Sequence, residues 1–263
     1  MKRMILTGML ALGAGVAALM AQQAAAPAAP AAKGPQPKSK GEQDAVMAMF
    51  TAQQSQNWDG VIQGAETLLT KYTDSDFKEL ATYLEAASYQ QKGDWIKAQI
   101  FAEKVLEINP KNIQATLMVG ELIAQHTREN DLDREEKLAK AEKQLNATIE
   151  NVKTGGKPNP QITDAQWAES QKFVTAEAQN DLGLCELTRK NYDKAAAYFR
   201  QAVDGDPQPA YSVRLASALQ SGGKNDEAIA ICDKLLADPQ LHPQIKAVAV
   251  NVKNAATQAK GGK

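Results

Sequence analysis

Small and apolar residues recur along the chain at fixed offsets, with polar residues between them. Counting from Ala86, they fall at +3 (Tyr89), +12 (Ala98), +16 (Ala102) and +19 (Val105), and Pro110 follows at +24. Gly183 repeats the series with Glu186, Ala195, Phe199, Ala202 and Pro207. Ala216 does so with Leu219, Ala228, Cys232 and Leu235, and Pro239 arrives one residue early. Met49 gives a weaker copy with Ala52, Val61, Ala65 and Leu68. Spacings of three and four on either side of a short polar break predict two helices that fold back on each other. Lys92-Gly93-Asp94 and Lys190-Asn191 supply the turns. Pro110 and Pro207 end the second helices, because proline removes a backbone donor and clashes with the preceding turn. Gly183 or Ala86 on the first helix is expected to admit Ala195 or Ala98 of the second, with Phe199 or Ala102 filling the next layer.

A third copy is stretched. Gly120 and Ile123 keep their places, but Ala141, Leu145 and Thr148 come at +21, +25 and +28, nine residues late. The charge-rich segment 126–136 is expected to lengthen the turn between the helices. Residues 152–162 (VKTGGKPNPQI) read as a Gly/Pro loop, and Thr163-Asp164-Ala165-Gln166 reads as a capping box opening a long helix that runs to about Arg189. These insertions either narrow the choice of partner or are tolerated surface loops. Ile245, Val248, Val250 and Val252 mark a last amphipathic helix. Five pairs and a capping helix result, and each pair has an apolar face that only a stacked neighbour can cover.

These residues resemble the tetratricopeptide repeat family, whose pattern runs W-x2-L-G-x2-Y, A-x3-F and P. Leu182-Gly183 with Ala195–Phe199 and Pro207, and Ala86–Tyr89 with Ala98 and Pro110, carry the resemblance over most of residues 42–263. Glu186 stands in the family's aromatic place and Val61 in a small-residue place. The resemblance implies an all-α, right-handed α-solenoid that binds a peptide or partner helix in a concave groove lined by first helices. In register, that groove comprises Tyr83, Ala87, Gln90, Leu117, Glu121, Gln125, Asn180, Leu184, Thr188, Arg214, Ser217 and Gln220. The family's carboxylate-gripping version uses a Lys/Asn/Arg cluster, which only Asn180 and Arg214 resemble here. An amide-rich groove points to side-chain hydrogen bonds with modest apolar contact.

Composition changes the picture mainly at the ends. Of 30 basic residues, five lie in residues 1–41, while none of the 31 acidic ones does, so residues 42–263 carry a net charge of −6. Lys2 and Arg3, an apolar run from Met4 to Met20 and then Ala21 have the order of a secretory signal peptide, with cleavage expected near Ala21. The run is about 17 residues, short of the roughly 20 a spanning helix needs. Residues 22–41 (QQAAAPAAPAAKGPQPKSKG) cannot bury enough surface to order and read as a spacer. A periplasmic or secreted protein without stable membrane insertion is expected.

Scattered Lys and Arg give no footprint for nucleic acid. Two Cys and two His offer no converging ligand set, so no metal and no cofactor is expected. Cys185 and Cys232 fall on elements that are not neighbours in the stack and are expected as separate thiols. Gly155-Gly156-Lys157 and Gly222-Gly223-Lys224 lack phosphate-loop spacing and read as turns. Trp58 and Trp95 open second helices at equivalent places and are expected to pack, whereas Trp167 is either a packing or a binding aromatic. No nucleophile–base pair stands out, so catalysis is not expected. The leading expectation is an exported interaction scaffold or adaptor. The alternatives are a cell-envelope assembly factor resembling outer-membrane assembly lipoproteins with such repeats, although no lipobox Cys is present, and an accessory domain or subunit of an envelope enzyme.

Overall fold

The computed structural model describes residues 34–158 and 161–261, and every regular element among them is a helix. They are α1 (Lys40–Gln54), α2 (Trp58–Lys71), α3 (Lys78–Gln91), α4 (Trp95–Ile108), α5 (Ile113–His126), α6 (Arg134–Thr154), α7 (Asp164–Thr188), α8 (Tyr192–Gly205), α9 (Pro209–Ser221), α10 (Asn225–Leu236) and α11 (Pro243–Gly261). Five pairs and a last helix follow the offset pattern. The expected leader and most of the spacer lie outside the described residues. The spacer's expected end at residue 41 overlaps α1, which starts at Lys40 because the Ser39 and Glu42 side chains cap it. Ser39 Oγ accepts from the Glu42 amide at 3.1 Å, and Glu42 Oε2 accepts from the Lys38 amide at 2.6 Å.

Four of the pairs close through one shared turn. The residue two places before the second helix has a positive φ: 55° at Gln56, 78° at Gly93, 64° at Lys190 and 79° at Gly223. The next amide then donates back to the carbonyl of the +3 residue, Asn57 to Ala52, Asp94 to Tyr89, Asn191 to Glu186 and Lys224 to Leu219, at 2.8–2.9 Å. This satisfies a carbonyl that the helix end leaves free. The fixed +3 spacing in the sequence thus includes a backbone contact as well as a side-chain one.

The insertions fall where expected with narrower bounds: of the turn expected over 126–136, His126 ends α5 and residues 134–136 open α6. Residues 127–133 link α5 to α6, and α6 runs for 21 residues. Val152–Thr154, expected in the loop, remain helical because Val152 continues the buried stripe of Leu145 and Thr148. Ahead of α7, Gln166 Oε1 accepts from the Thr163 amide at 3.0 Å while the Gln166 amide donates to Thr163 Oγ1 at 3.2 Å, forming the expected capping box.

The chain forms two compact units, one from residues up to Val119 with Gly156–Trp167, the other from Gly120–Gly155 with Ala168 onward. In the first unit α1 packs on α2, α2 on α3 and α3 on α4. Val46, Met49, Phe50, Val61, Ala65, Leu68, Phe77, Ala81 and Leu84 form one of its buried clusters, against which Trp58 and Tyr83 lie half-buried. Trp95 departs from expectation. It is 40 % exposed, and Ile96 and Ile100 beside it face outward as well.

In the second unit α8 packs on α9, α9 on α10, and α11 covers both α9 and α10. The last helix buries Ala249, Val252 and Ala256 with Ile245 packed beside them, a set spaced four, three and four. Val248 and Val250, expected on that face, are exposed because neither falls in that period. At the centre of the α7–α8 pair, Gly183 lies against Phe199: a Cβ on Gly183 would lie 2.6 Å from Phe199 Cε1. Gly120 likewise admits Leu145, the +16 partner displaced to +25 by the insertion, with 2.5 Å from a Cβ to Leu145 Cγ. Where the first position is Ala, at Ala86 and Ala216, the residue at +16 is small, Ala102 and Cys232, and all four are buried. Phe199 is fully buried in the exchange, a burial that stabilises by roughly 2–3 kcal/mol.

Candidate functional site

The residues expected to line the groove are half-buried, except Asn180, which is buried, and Gln125, which is exposed. In the first unit Tyr83, Ala87 and Gln90 share α3, and Leu117 lies on α5. In the second unit Glu121 and Gln125 come from α5, Asn180, Leu184 and Thr188 from α7, and Arg214, Ser217 and Gln220 from α9. Leu184 packs against the second unit's core. Four of these residues, from three successive first helices, meet in one polar network.

Arg214 Nη1 donates to Asn180 Oδ1 at 2.7 Å, and Asn180 Nδ2 donates to Asp181 Oδ1 at 3.0 Å. Gln125 donates to Glu121 Oε1 at 3.1 Å and also hydrogen-bonds Asp181. Asp181, Glu177, Asp206 and Tyr211 complete the cluster and were not among the expected residues. Their signal was present in the sequence: Glu177 and Asp181 are four apart on α7, on one helix face, and Asp181 adjoins Leu182-Gly183, which the repeat places in the core.

The network concentrates acidic groups around one guanidinium. Burial raises the Asp181 carboxyl well above the usual range, and the Glu121 charge adds to this, against the opposing pull of Arg214, Gln125 and Asn180. Glu177 is pushed up to about 8 by burial and by Glu121, Asp181 and Asp206. Burial, with Glu177 and the neighbouring aspartates, also raises the Tyr211 phenol. Burial thus favours the protonated form of Glu177 and Asp181, while Arg214 and Asn180 fix the hydrogen bonds of the network.

The inserted turn is anchored by a second charged cluster. The Arg189 guanidinium binds three carboxylates: Glu135 at 2.9 Å, Glu186 at 3.2 Å and Glu142, which it grips with both Nη atoms. Those contacts hold its proton more firmly still. Glu186, in the place of an aromatic, also accepts from Asn191 Nδ2 at 2.7 Å and is buried. Lys190 pairs with Glu129 of the insertion.

Cys185 and Cys232 are free and buried, and burial lifts the Cys185 thiol to about 12, so it is not an activated nucleophile. His242 accepts from the Gln244 amide at 3.3 Å at the start of α11. Gly223 sits at the turn expected of Gly222-Gly223-Lys224, and Trp167 is half-buried. Among the described residues no group of three or more His, Cys, Asp or Glu is arranged to hold a metal ion, and no helix is long and apolar enough to cross a membrane.

Stacked helix pairs joined by this turn, with a polar network on successive first helices, define an all-helical repeat scaffold. Residues 186–250 match the tetratricopeptide repeat family. Among solved structures the chain is similar to a thermophilic tetratricopeptide-repeat protein from Thermus thermophilus, at 20 % identity and a TM-score of 0.52, covering 82 % of this chain and 99 % of that one. It is also similar to a tetratricopeptide repeat protein from Parabacteroides merdae, at 14 % identity and a TM-score of 0.47, covering 85 % and 93 %. The chain matches no curated protein by sequence. The fold of the chain is that of tetratricopeptide-repeat proteins, and residues 186–250 carry the family's sequence pattern.

Proposed function

We propose that the protein is an exported scaffold that holds an extended peptide or a partner helix against the first helices of residues 120–261. The carrying observation is the convergence of Glu121, Gln125, Asn180 and Arg214 on one network, polar at positions where a purely structural stack has no need of charge. Arg214 and Asn180 orient the partner's backbone or amides by hydrogen bonds. A lysine or arginine of the partner takes the place of the proton on half-buried Glu177. Such exchange makes affinity for a cationic peptide rise with pH through neutrality, because the free protein holds that proton more tightly than the complex does. Export rests on the leader-like residues 1–21 of the sequence.

The test is fluorescence anisotropy with labelled lysine-rich and aspartate-rich helical peptides at about pH 6 and about pH 8.5. Tighter binding of the cationic peptide, strengthening with pH and weakened about tenfold by Glu177→Gln with helical content unchanged, supports the reading. Equal binding of both peptides, or no effect of the substitution, overturns it. Export is tested by expressing the full chain in a Gram-negative bacterium and sequencing the N-terminus of the envelope fraction. A chain retained at full mass in the cytosol refutes that part alone.

A further inference from the structure

The first unit carries a carboxylate that the proposed binding site does not use. Glu85 lies on α3 one residue before Ala86, the register place that Leu182, Leu215 and Val119 occupy in other pairs, all of them buried. It is 1 % exposed, and neither carboxyl oxygen has a hydrogen-bond partner. The helices packed on α3 do not compensate it. From α2 comes the like charge of Glu66, and from α4 comes Lys104, whose ammonium lies over the Phe101 ring at 4.1 Å. Tyr89 follows one turn along α3 and is stacked on Phe101 at 5.4 Å. An ionised carboxylate in such a place has neither water nor a donor to stabilise it.

We propose that Glu85 makes the first unit a pH-sensitive element, in which loss of its proton to solvent loosens α3 from α2 and α4. The apolar layer accepts Glu85 as a neutral acid and rejects it as an anion. Burial first, then Glu66, pushes the group up to about 7 against the weaker pull of Lys104. A group raised in the folded state stabilises the fold fully below its unfolded value, near 4.5, and that contribution is lost as pH rises through about 7. The unit is therefore tightest in mild acid and loosest in mild alkali, a response independent of the carboxylates in residues 120–261.

Hydrogen exchange of the full chain, followed by peptide, tests this. Corrected for the intrinsic rate, the opening constant of α3 and α4 is expected to rise roughly twentyfold between about pH 5.5 and about pH 7.5. Glu85→Leu, which installs the residue of the equivalent places, is expected to abolish that rise, and Glu85→Gln to flatten it. A wild-type α3 whose opening does not change with pH overturns the proposal without any variant. So does the same rise persisting in Glu85→Leu, which assigns the response to other groups.

Discussion

Replacing Gly183 by alanine tests whether the pairs close by matched volumes. The new Cβ would lie 2.6 and 2.7 Å from Phe199 Cε1 and Cδ1. That ring is fully buried and has no solvent side to turn toward. Overpacking of this kind costs about 1–3 kcal/mol, while alanine gains about 1 kcal/mol over glycine within a helix. The expected net effect is a loss of up to about 2 kcal/mol. Phe199→Ala alone costs about 3–5 kcal/mol through the cavity it leaves. In that background the obstruction is gone, so Gly183→Ala should stabilise by about 1 kcal/mol, reproducing the Ala86–Ala102 combination already present in the second pair. The substitution thus turns from costly to stabilising, with a coupling of about 1–3 kcal/mol. Urea denaturation of the four proteins measures it. If Gly183→Ala shifts stability by the same amount and sign in both backgrounds, the volume-matching argument fails.

Gln56→Gly should stabilise by about 0.5–1 kcal/mol, because Gln56 holds a φ of 55° that glycine adopts without strain; an unchanged urea midpoint counts against this. Arg189→Met should cost about 2–3 kcal/mol, discounted for partial exposure, by leaving Glu135, Glu142 and Glu186 without their shared cation. Hydrogen exchange should then rise first in residues 127–142, and a uniform rise would contradict the anchoring role. Because the Glu177 carboxyl is raised in the folded state, its contribution to the stability of residues 120–261 should be complete below about pH 4.5 and be lost as pH rises through about 8. Glu177→Gln should flatten that decline in α7 and α9, and an unaltered slope refutes it.

The pairing of helices was legible because the contacts at +3 and +16 are local and recur. The nine-residue displacement of Leu145 even located the insertion, since Gly120 still needs a large partner. The moved boundary at Val152 has a plain cause, since Gly and Pro mark a loop but one buried valine extends the helix before it. Outward-facing Trp95, Val248 and Val250 show the same limit, as hydrophobicity names a residue without naming its face. The network around Arg214 was half legible. Groove register brought Glu121, Gln125, Asn180 and Arg214 together, but Asp181 and Glu177 looked like ordinary helix charges until neighbouring helices enclosed them.

Glu186 departs from the aromatic of its repeat class, yet it receives both Asn191 and Arg189, and Arg189 reaches from there to Glu135 and Glu142 in the lengthened third pair. One guanidinium therefore rivets Glu135 and Glu142 of α6 to Glu186 near the end of α7, so the lengthened third pair and the fourth share a single pin and work loose there together or not at all.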